Sequence, residues 1–196
     1  MLVFNKICQF YQQRCLFNEF SLQIKEPRVL ISGANGSGKT TLLLMAAGLV
    51  KPQSGDISFN QQDVLQANIK RQIGISASKI ALPAFMTVDE ILQFHRRQFA
   101  CSCYDKWLKQ FGLNHYLPTK VADLSLGNVK KLSLMTAIMH QPELLLLDEP
   151  TNGLDEQARL SLNLLISEYP GQVIIASHEA LAAEDQQVRH IQLQRG

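Results

Sequence analysis

At 196 residues, with 46% hydrophobic and 18% charged residues, the chain has the length of one domain and the composition of a globular rather than a disordered protein. Nineteen Lys and Arg against 17 Asp and Glu leave a net charge of +2, too small to imply a polyanionic partner. The longest apolar run, Thr41 to Val50, falls well short of the ~20 residues of a membrane span. These properties exclude an integral membrane subunit, a secreted miniprotein and a simple nucleic-acid tether. The N-terminal MLVFNKICQFYQQR has no basic stretch ahead of a long apolar one, so no signal peptide is expected. Cys8, Cys15, Cys101 and Cys103 form neither a CxxC pair nor a zinc-spaced cluster, and four reduced thiols in a cytoplasmic protein are expected.

In chain order, Leu2 to Phe10 and Phe20 to Lys25 read as strands, and Arg28 to Ser32 is a short apolar run entering a glycine-rich loop. Lys39 to Val50 reads as a helix weakened at its end by Gly48, with a turn at Pro52 and Gly55. Asp56 to Phe59 and Gln72 to Ser76 are further strands. From Thr87 to Phe111 the pattern is mostly helical, and Thr87 with Glu90 three residues later forms a capping-box signature. Gly112 to Thr119 breaks the pattern, and Ser125 opens a helical stretch to His140. Leu144 to Leu147 is a continuous apolar run ending in Asp148 and Glu149. Asp155 to Tyr169 reads as a helix stopped by Pro170-Gly171, and Val173 to Ala176 and Val188 to Leu193 as strands. Strands alternating with helices predict an α/β fold with a mainly parallel sheet. The helical stretch of about 79–124 reads as an insertion into that core.

Three motifs carry chemistry. Gly33-Ala34-Asn35-Gly36-Ser37-Gly38-Lys39-Thr40, followed by Thr41, matches G-x-x-x-x-G-K-[ST] between a strand and a helix. Glycines at 33, 36 and 38 let backbone N–H groups turn inward as a nest for phosphate oxygens, and the helix that follows adds its positive end. Lys39 supplies a charge for β- and γ-phosphates, and the Thr40 hydroxyl can ligate Mg²⁺. The apolar run Leu144 to Leu147 suits a strand buried on both faces. Asp148 then emerges at its C-terminal end, where open α/β sheets bind ligands. There it can hold Mg²⁺, with Glu149 placed to polarise a water. The third motif, Leu124-Ser125-Leu126-Gly127-Asn128, reads as a helix start with Ser125 as N-cap.

Together these residues resemble the ATP-binding cassette (ABC) ATPases, the motor subunits of ABC transporters, from Leu2 to about Leu193. The third motif is similar to the family's LSGGQ signature, with Leu126 for Gly and Asn128 for Gln. The resemblance implies a P-loop NTPase core with an N-terminal antiparallel β-subdomain and an inserted helical subdomain. It implies ATP and Mg²⁺ as cofactors and a head-to-tail homodimer or paired ATPase subunit. In that arrangement Ser125 and Gly127 face the γ-phosphate bound by the partner. It implies that Asn152-Gly153-Leu154-Asp155 is the loop linking the two sites, and that His178 hydrogen-bonds the γ-phosphate and orients Glu149 and water. Tyr11 resembles the aromatic that stacks on adenine, with Phe10 as its rival. Ser78 stands where the family has a Gln that reaches Mg²⁺ and water, and its shorter side chain makes slow hydrolysis an expectation. Separate transmembrane permease subunits, a cytoplasmic site on the inner face of the cell membrane and no nucleic-acid partner are also implied. A slow regulatory cassette and a non-transport ABC ATPase of translation or repair are the alternatives.

Overall fold

Two sheets organise the described residues, which are 1–12, 14–101, 105–178 and 188–194 of a computed structural model. In chain order the elements are β1 (Leu2–Tyr11), β2 (Arg14–Ile24), β3 (Arg28–Ser32), α1 (Lys39–Ala46), β4 (Ser54–Phe59), β5 (Gln62–Asp63), α2 (Ala67–Lys70) and β6 (Ile73–Ser76). They continue with α3 (Val88–Phe99), α4 (Asp105–Phe111), α5 (Leu126–Ile138), β7 (Leu144–Asp148), α6 (Glu156–Glu168), β8 (Gln172–Ala176) and β9 (Val188–Gln192). Strands β2-β1-β4-β5 form an antiparallel sheet, and β6-β7-β8-β3-β9 a parallel one.

Period-two alternation in the parallel strands divides the interior into two cores. Leu144, Leu146, Ile174, Val29 and Ile31 point to the face shared with α1 and the antiparallel sheet. Leu145, Leu147, Val173, Ile175 and Leu30 point to the face covered by α3, α4, α5 and α6. Every residue of β7 is buried, which is why its sequence is unbroken leucine up to Asp148. Each leucine so enclosed contributes about 1.5–3 kcal/mol of burial free energy.

Register aligns the ends of the central strands. Asp148 pairs with Ala176, Ala176 with Ile31, and Ser76 with Leu147. The segments that follow β3, β6, β7 and β8 therefore leave the sheet along one edge, where open α/β sheets take ligands.

Beyond shifts of one or two residues at element ends, the elements differ from the sequence expectation in four places. The second strand begins at Arg14 rather than Phe20, because irregular register along β1 and β2 breaks the alternation that marks a strand. The helix from Lys39 ends at Ala46, and Gly48 follows at φ 65°, a left-handed position that suits glycine. The short β5 and α2 had no periodic signal to announce them. The stretch from Thr87 resolves into α3 and α4, and the capping box is formed: Glu90 N–H donates to Thr87 Oγ1 at 3.2 Å, and Thr87 N–H to Glu90 Oε2 at 2.8 Å. Between β6 and α5 the described residues hold α3, α4, two 3-10 turns and one isolated bridge, Thr87 with Lys120. No helix of the described residues is long and apolar enough to cross a membrane. Cys8, Cys15 and Cys101 carry free thiols, while Cys103 lies outside the described residues.

His95 of α3 and His140, just past α5, pair through Nε2 and Nδ1 at 3.1 Å, with Phe99 stacked at 4.4 Å from the His95 ring. Burial, and then the neighbouring His140, lower the His95 pKa from 6.5 to about 4. The unfolded chain therefore binds a proton that the folded chain rejects between those values. This contribution to stability is complete above pH 6.5 and is lost as pH falls toward 4. Thermal unfolding at pH 7.5 and pH 5 is expected to show a larger Tm drop in wild type than in His95→Gln. Equal drops would mean that His95 is not held neutral by the fold.

Candidate functional site

The loop between β3 and α1 is built by its glycines. Gly36 and Gly38 lie at φ 78° and 101°, and Gly38 is the N-cap of α1. A Cβ on Gly38 would stand 2.8 Å from Phe17 Cζ, so both the backbone angle and the packing demand glycine. The Ser37 N–H closes the loop onto the Ala34 carbonyl at 3.0 Å. Lys39, buried at the first position of α1, folds back over the loop: its Nζ donates to the Gly33 carbonyl at 2.8 Å and lies 2.9 Å from His178 Nε2.

The next residue crosses to the end of β7. Thr40 Oγ1 lies 2.9 and 3.1 Å from the two Asp148 carboxylate oxygens. Burial pushes the Asp148 carboxyl above its ordinary range, opposed by the Thr40 hydrogen bond and the Lys130 charge. Glu149 follows at φ 43°, a left-handed angle that costs about 1–2 kcal/mol for a residue with a Cβ. Its Oε2 accepts from Ser177 Oγ at 3.2 Å, while its Oε1 is 3.6 Å from His178 Nε2. That Oε1 is buried without a hydrogen-bond partner among the described residues, so its acceptor capacity is open to a water or ligand.

These groups surround one open cavity of about 440 Å³. Of the residues singled out in the sequence, Tyr11, Asn35, Gly36, Gly38, Lys39, Thr40, Thr41, Ser78, Asp148, Glu149 and His178 all line it. Gly33, Ala34 and Ser37 belong to the same loop but are not among the residues lining the cavity. Tyr11 is about half exposed at the end of β1. Phe10, its neighbour on the strand, is absent from the cavity lining, and its N–H donates to Gln53 Oε1 at 2.9 Å.

Ser125, Gly127 and Asp155 are not in that cavity. Ser125 caps α5, accepting from Asn128 N–H at 3.2 Å. Leu126 beside it is 89% exposed, so the start of α5 stands open to an external partner. A Cβ on Gly127 would come within 2.6 Å of the Gly153 carbonyl, so the start of α5 packs directly on the loop before α6. Asp155 caps α6 through Ala158 N–H at 2.8 Å and pairs with Lys131. This pairing, and then the cap, hold its carboxyl below the usual range.

Sequence reasoning passed over three basic groups. Arg14 lines the cavity and donates to the Gly36 carbonyl at 2.9 Å. Lys79 lines it beside Ser78. Lys130 donates to the Asp148 carbonyl at 2.8 Å; burial lowers its pKa, against the charges of Asp148 and Glu149. Tyr11 and Arg14 pair across the hairpin, a register that no motif in the sequence announced.

A divalent metal is tested by the donor set. A hydroxyl and a carboxylate in contact form an all-oxygen pair suited to a hard cation. Mg²⁺ is commonly held by one or two such ligands, with substrate phosphates and water completing the shell. The described residues offer no group of three or more His, Cys, Asp or Glu that could hold a metal without a substrate. Thr40 and Asp148 therefore fit Mg²⁺ arriving with a nucleotide.

A family profile described as ABC transporter matches residues 17–152. The chain is 34% identical over 172 residues to the bacitracin transport ATP-binding protein BcrA of Bacillus licheniformis, covering 81% of this chain and 55% of that protein. It is 34% identical over 147 residues to the ABC transporter ATP-binding protein NatA of Bacillus subtilis, covering 70% and 60%. It thus spans less than two thirds of either relative. The fold superimposes on a solved ATP-binding subunit of an ABC transporter with a TM-score of 0.87 at 23% identity, covering 99% of this chain and 86% of that one. It also superimposes on the dimeric structure of MJ0796, a bacterial ABC transporter cassette, with a TM-score of 0.80 at 24% identity, covering 98% and 94%.

Proposed function

The chain belongs to the ABC transporter family as an ATP-binding cassette ATPase, and on that premise we propose that it hydrolyses Mg-ATP in the cavity at the ends of β3 and β7. The observation that carries this is the convergence of Lys39, the Thr40–Asp148 pair and the unpartnered Glu149 Oε1 on one opening. The loop amides and Lys39 bind the β- and γ-phosphates. Tyr11 offers its ring to the base, and Arg14 adds a second cation beside the loop. Thr40 and Asp148 would hold Mg²⁺, which when bound would neutralise phosphate charge. Glu149 orients a water and takes its proton, with Ser177 and His178 fixing the carboxylate.

The exposed start of α5 favours a pair of cassettes arranged head to tail. Ser125 and Gly127 of each then close over the nucleotide of the other, and Asp155 lies at the join between the sites. The chain works on the cytoplasmic face of a bacterial membrane and drives separate membrane subunits. The direct test is phosphate release from ATP by purified protein. Turnover is expected with Mg²⁺ and none with EDTA; no turnover with Mg²⁺ would remove the proposal.

A second reading, a cassette with slow basal turnover, is favoured by Ser78. This residue lines the cavity, and its side chain is shorter in reach than the Gln that the family resemblance puts there. Ser78→Gln is expected to raise basal turnover about tenfold, as one added transition-state contact of ~1.4 kcal/mol would do. Equal steady-state rates at saturating Mg-ATP would dismiss this reading.

A further inference from the structure

Lys130 stands five residues past the N-cap of α5, outside the roles assigned so far. Its Nζ donates to the backbone carbonyl of Asp148 at 2.8 Å. The N–H of the same peptide unit, that of Glu149, donates to the Ala176 carbonyl at 2.8 Å. One peptide plane is therefore held at both polar ends, by a side chain from α5 on one side and by the end of β8 on the other.

The residue this plane leads into is Glu149, at φ 43°, a conformation that residues with a Cβ enter only when their surroundings hold them there. A charged donor on a backbone carbonyl is a stronger tether than a neutral one. Without it the Asp148 carbonyl loses this tether and the peptide plane is held at its N–H end alone. Glu149 can then relax to negative φ, swinging its carboxylate away from Ser177 and His178. A second cavity, of about 470 Å³, brings Lys130 together with Ser78, Asp148 and Glu149, so the tether lies against the site itself.

We propose that Lys130 is a positioning residue that fixes the Asp148–Glu149 peptide and so aims the Glu149 carboxylate, coupling the helix that begins at Ser125 to the hydrolytic end of β7. The catalytic consequence rests on Glu149 acting as proposed above; the geometric consequence does not.

Two readouts on the full chain separate these. The first is the ¹³C chemical shifts of Glu149 Cα and Cβ by NMR without nucleotide, which follow the backbone angle. Lys130→Met keeps the stem and loses the donor, and it is expected to move these shifts, while Lys130→Arg keeps the wild-type values. The second is steady-state ATP hydrolysis. Lys130→Met is expected to lower kcat about tenfold or more with KM within about twofold, the pattern of a contact made in the transition state. Lys130→Arg restores kcat to within about threefold of wild type, since its guanidinium can donate to the same carbonyl.

Unmoved Glu149 shifts in Lys130→Met would overturn the proposal whatever the activity. A raised KM at unchanged kcat would make Lys130 a nucleotide-binding residue and overturn it as well. Moved shifts with unchanged kcat would overturn the coupling to hydrolysis and count against Glu149 as the base. An inactive wild type would remove the proposed function, and the NMR comparison would still decide the positioning. If Lys130→Met does not fold, Lys130→Leu takes its place under both readouts with the same expectations.

Discussion

Glu149→Gln is expected to lower kcat for Mg-ATP hydrolysis by about 10²–10⁴-fold, the contribution of a positioned general base. ATP affinity is expected to stay near wild type. The substitution keeps the shape of the side chain and its capacity to accept from Ser177 Oγ, which lies 3.2 Å from Oε2. It removes the ability to take a proton at the oxygen that is buried without a partner. Phosphate release at saturating Mg-ATP measures kcat, and equilibrium binding of ATP measures affinity. A variant that turns over at the wild-type rate would take the role of base away from Glu149.

Lys39→Ala has the largest expected effect on binding. Lys39 is buried and its ammonium lies within hydrogen-bond distance of the Gly33 carbonyl and His178, so it is held over the loop and its entropy cost is met before a nucleotide arrives. Loss of two charge-assisted hydrogen bonds to phosphate, each about 1.5–3 kcal/mol, predicts a fall in ATP affinity of ~10²–10⁴-fold. The fold should survive, because α1 keeps its other buried residues, Leu42, Leu43, Met45 and Ala46 among them. Calorimetric titration with Mg-ATP provides the measurement. Affinity within about threefold of wild type, less than the loss of one ordinary hydrogen bond, would mean that the phosphates lie elsewhere.

The part of this site that could be read from the sequence is the part fixed locally. The loop from Gly33 to Thr40 was legible because its function requires backbone angles that glycine supplies, at fixed spacing. Asp148 was legible because a strand buried on both faces must be apolar throughout, so the first acid marks its end. Thr87 and Glu90 were legible because a capping box lies within one turn. Arg14, Lys79 and Lys130 were not, because nothing in their neighbours distinguishes them from surface cations. Arg14 reaches the Gly36 carbonyl only through the register of a hairpin, and that register is irregular. Lys130 meets Asp148 only because α5 lies along β6 and β7, a packing that depends on which leucines of β7 face which core. The same dependence explains why Ser125, Gly127 and Asp155 could be picked out as residues but not placed. They lie away from the cavity of their own chain, and in the pairing proposed above a second cassette is what completes their arrangement.

That completion is the central claim, and one measurement addresses it directly. Light scattering of the Glu149→Gln protein gives its mass with and without Mg-ATP, under conditions where nucleotide cannot be turned over and the closed state accumulates. A monomer without nucleotide and a particle of twice that mass with Mg-ATP is the predicted result, with the doubling lost in Glu149→Gln carrying Ser125→Arg while ATP still binds. A protein that binds Mg-ATP and remains monomeric would contradict the head-to-tail pairing of two copies of this chain.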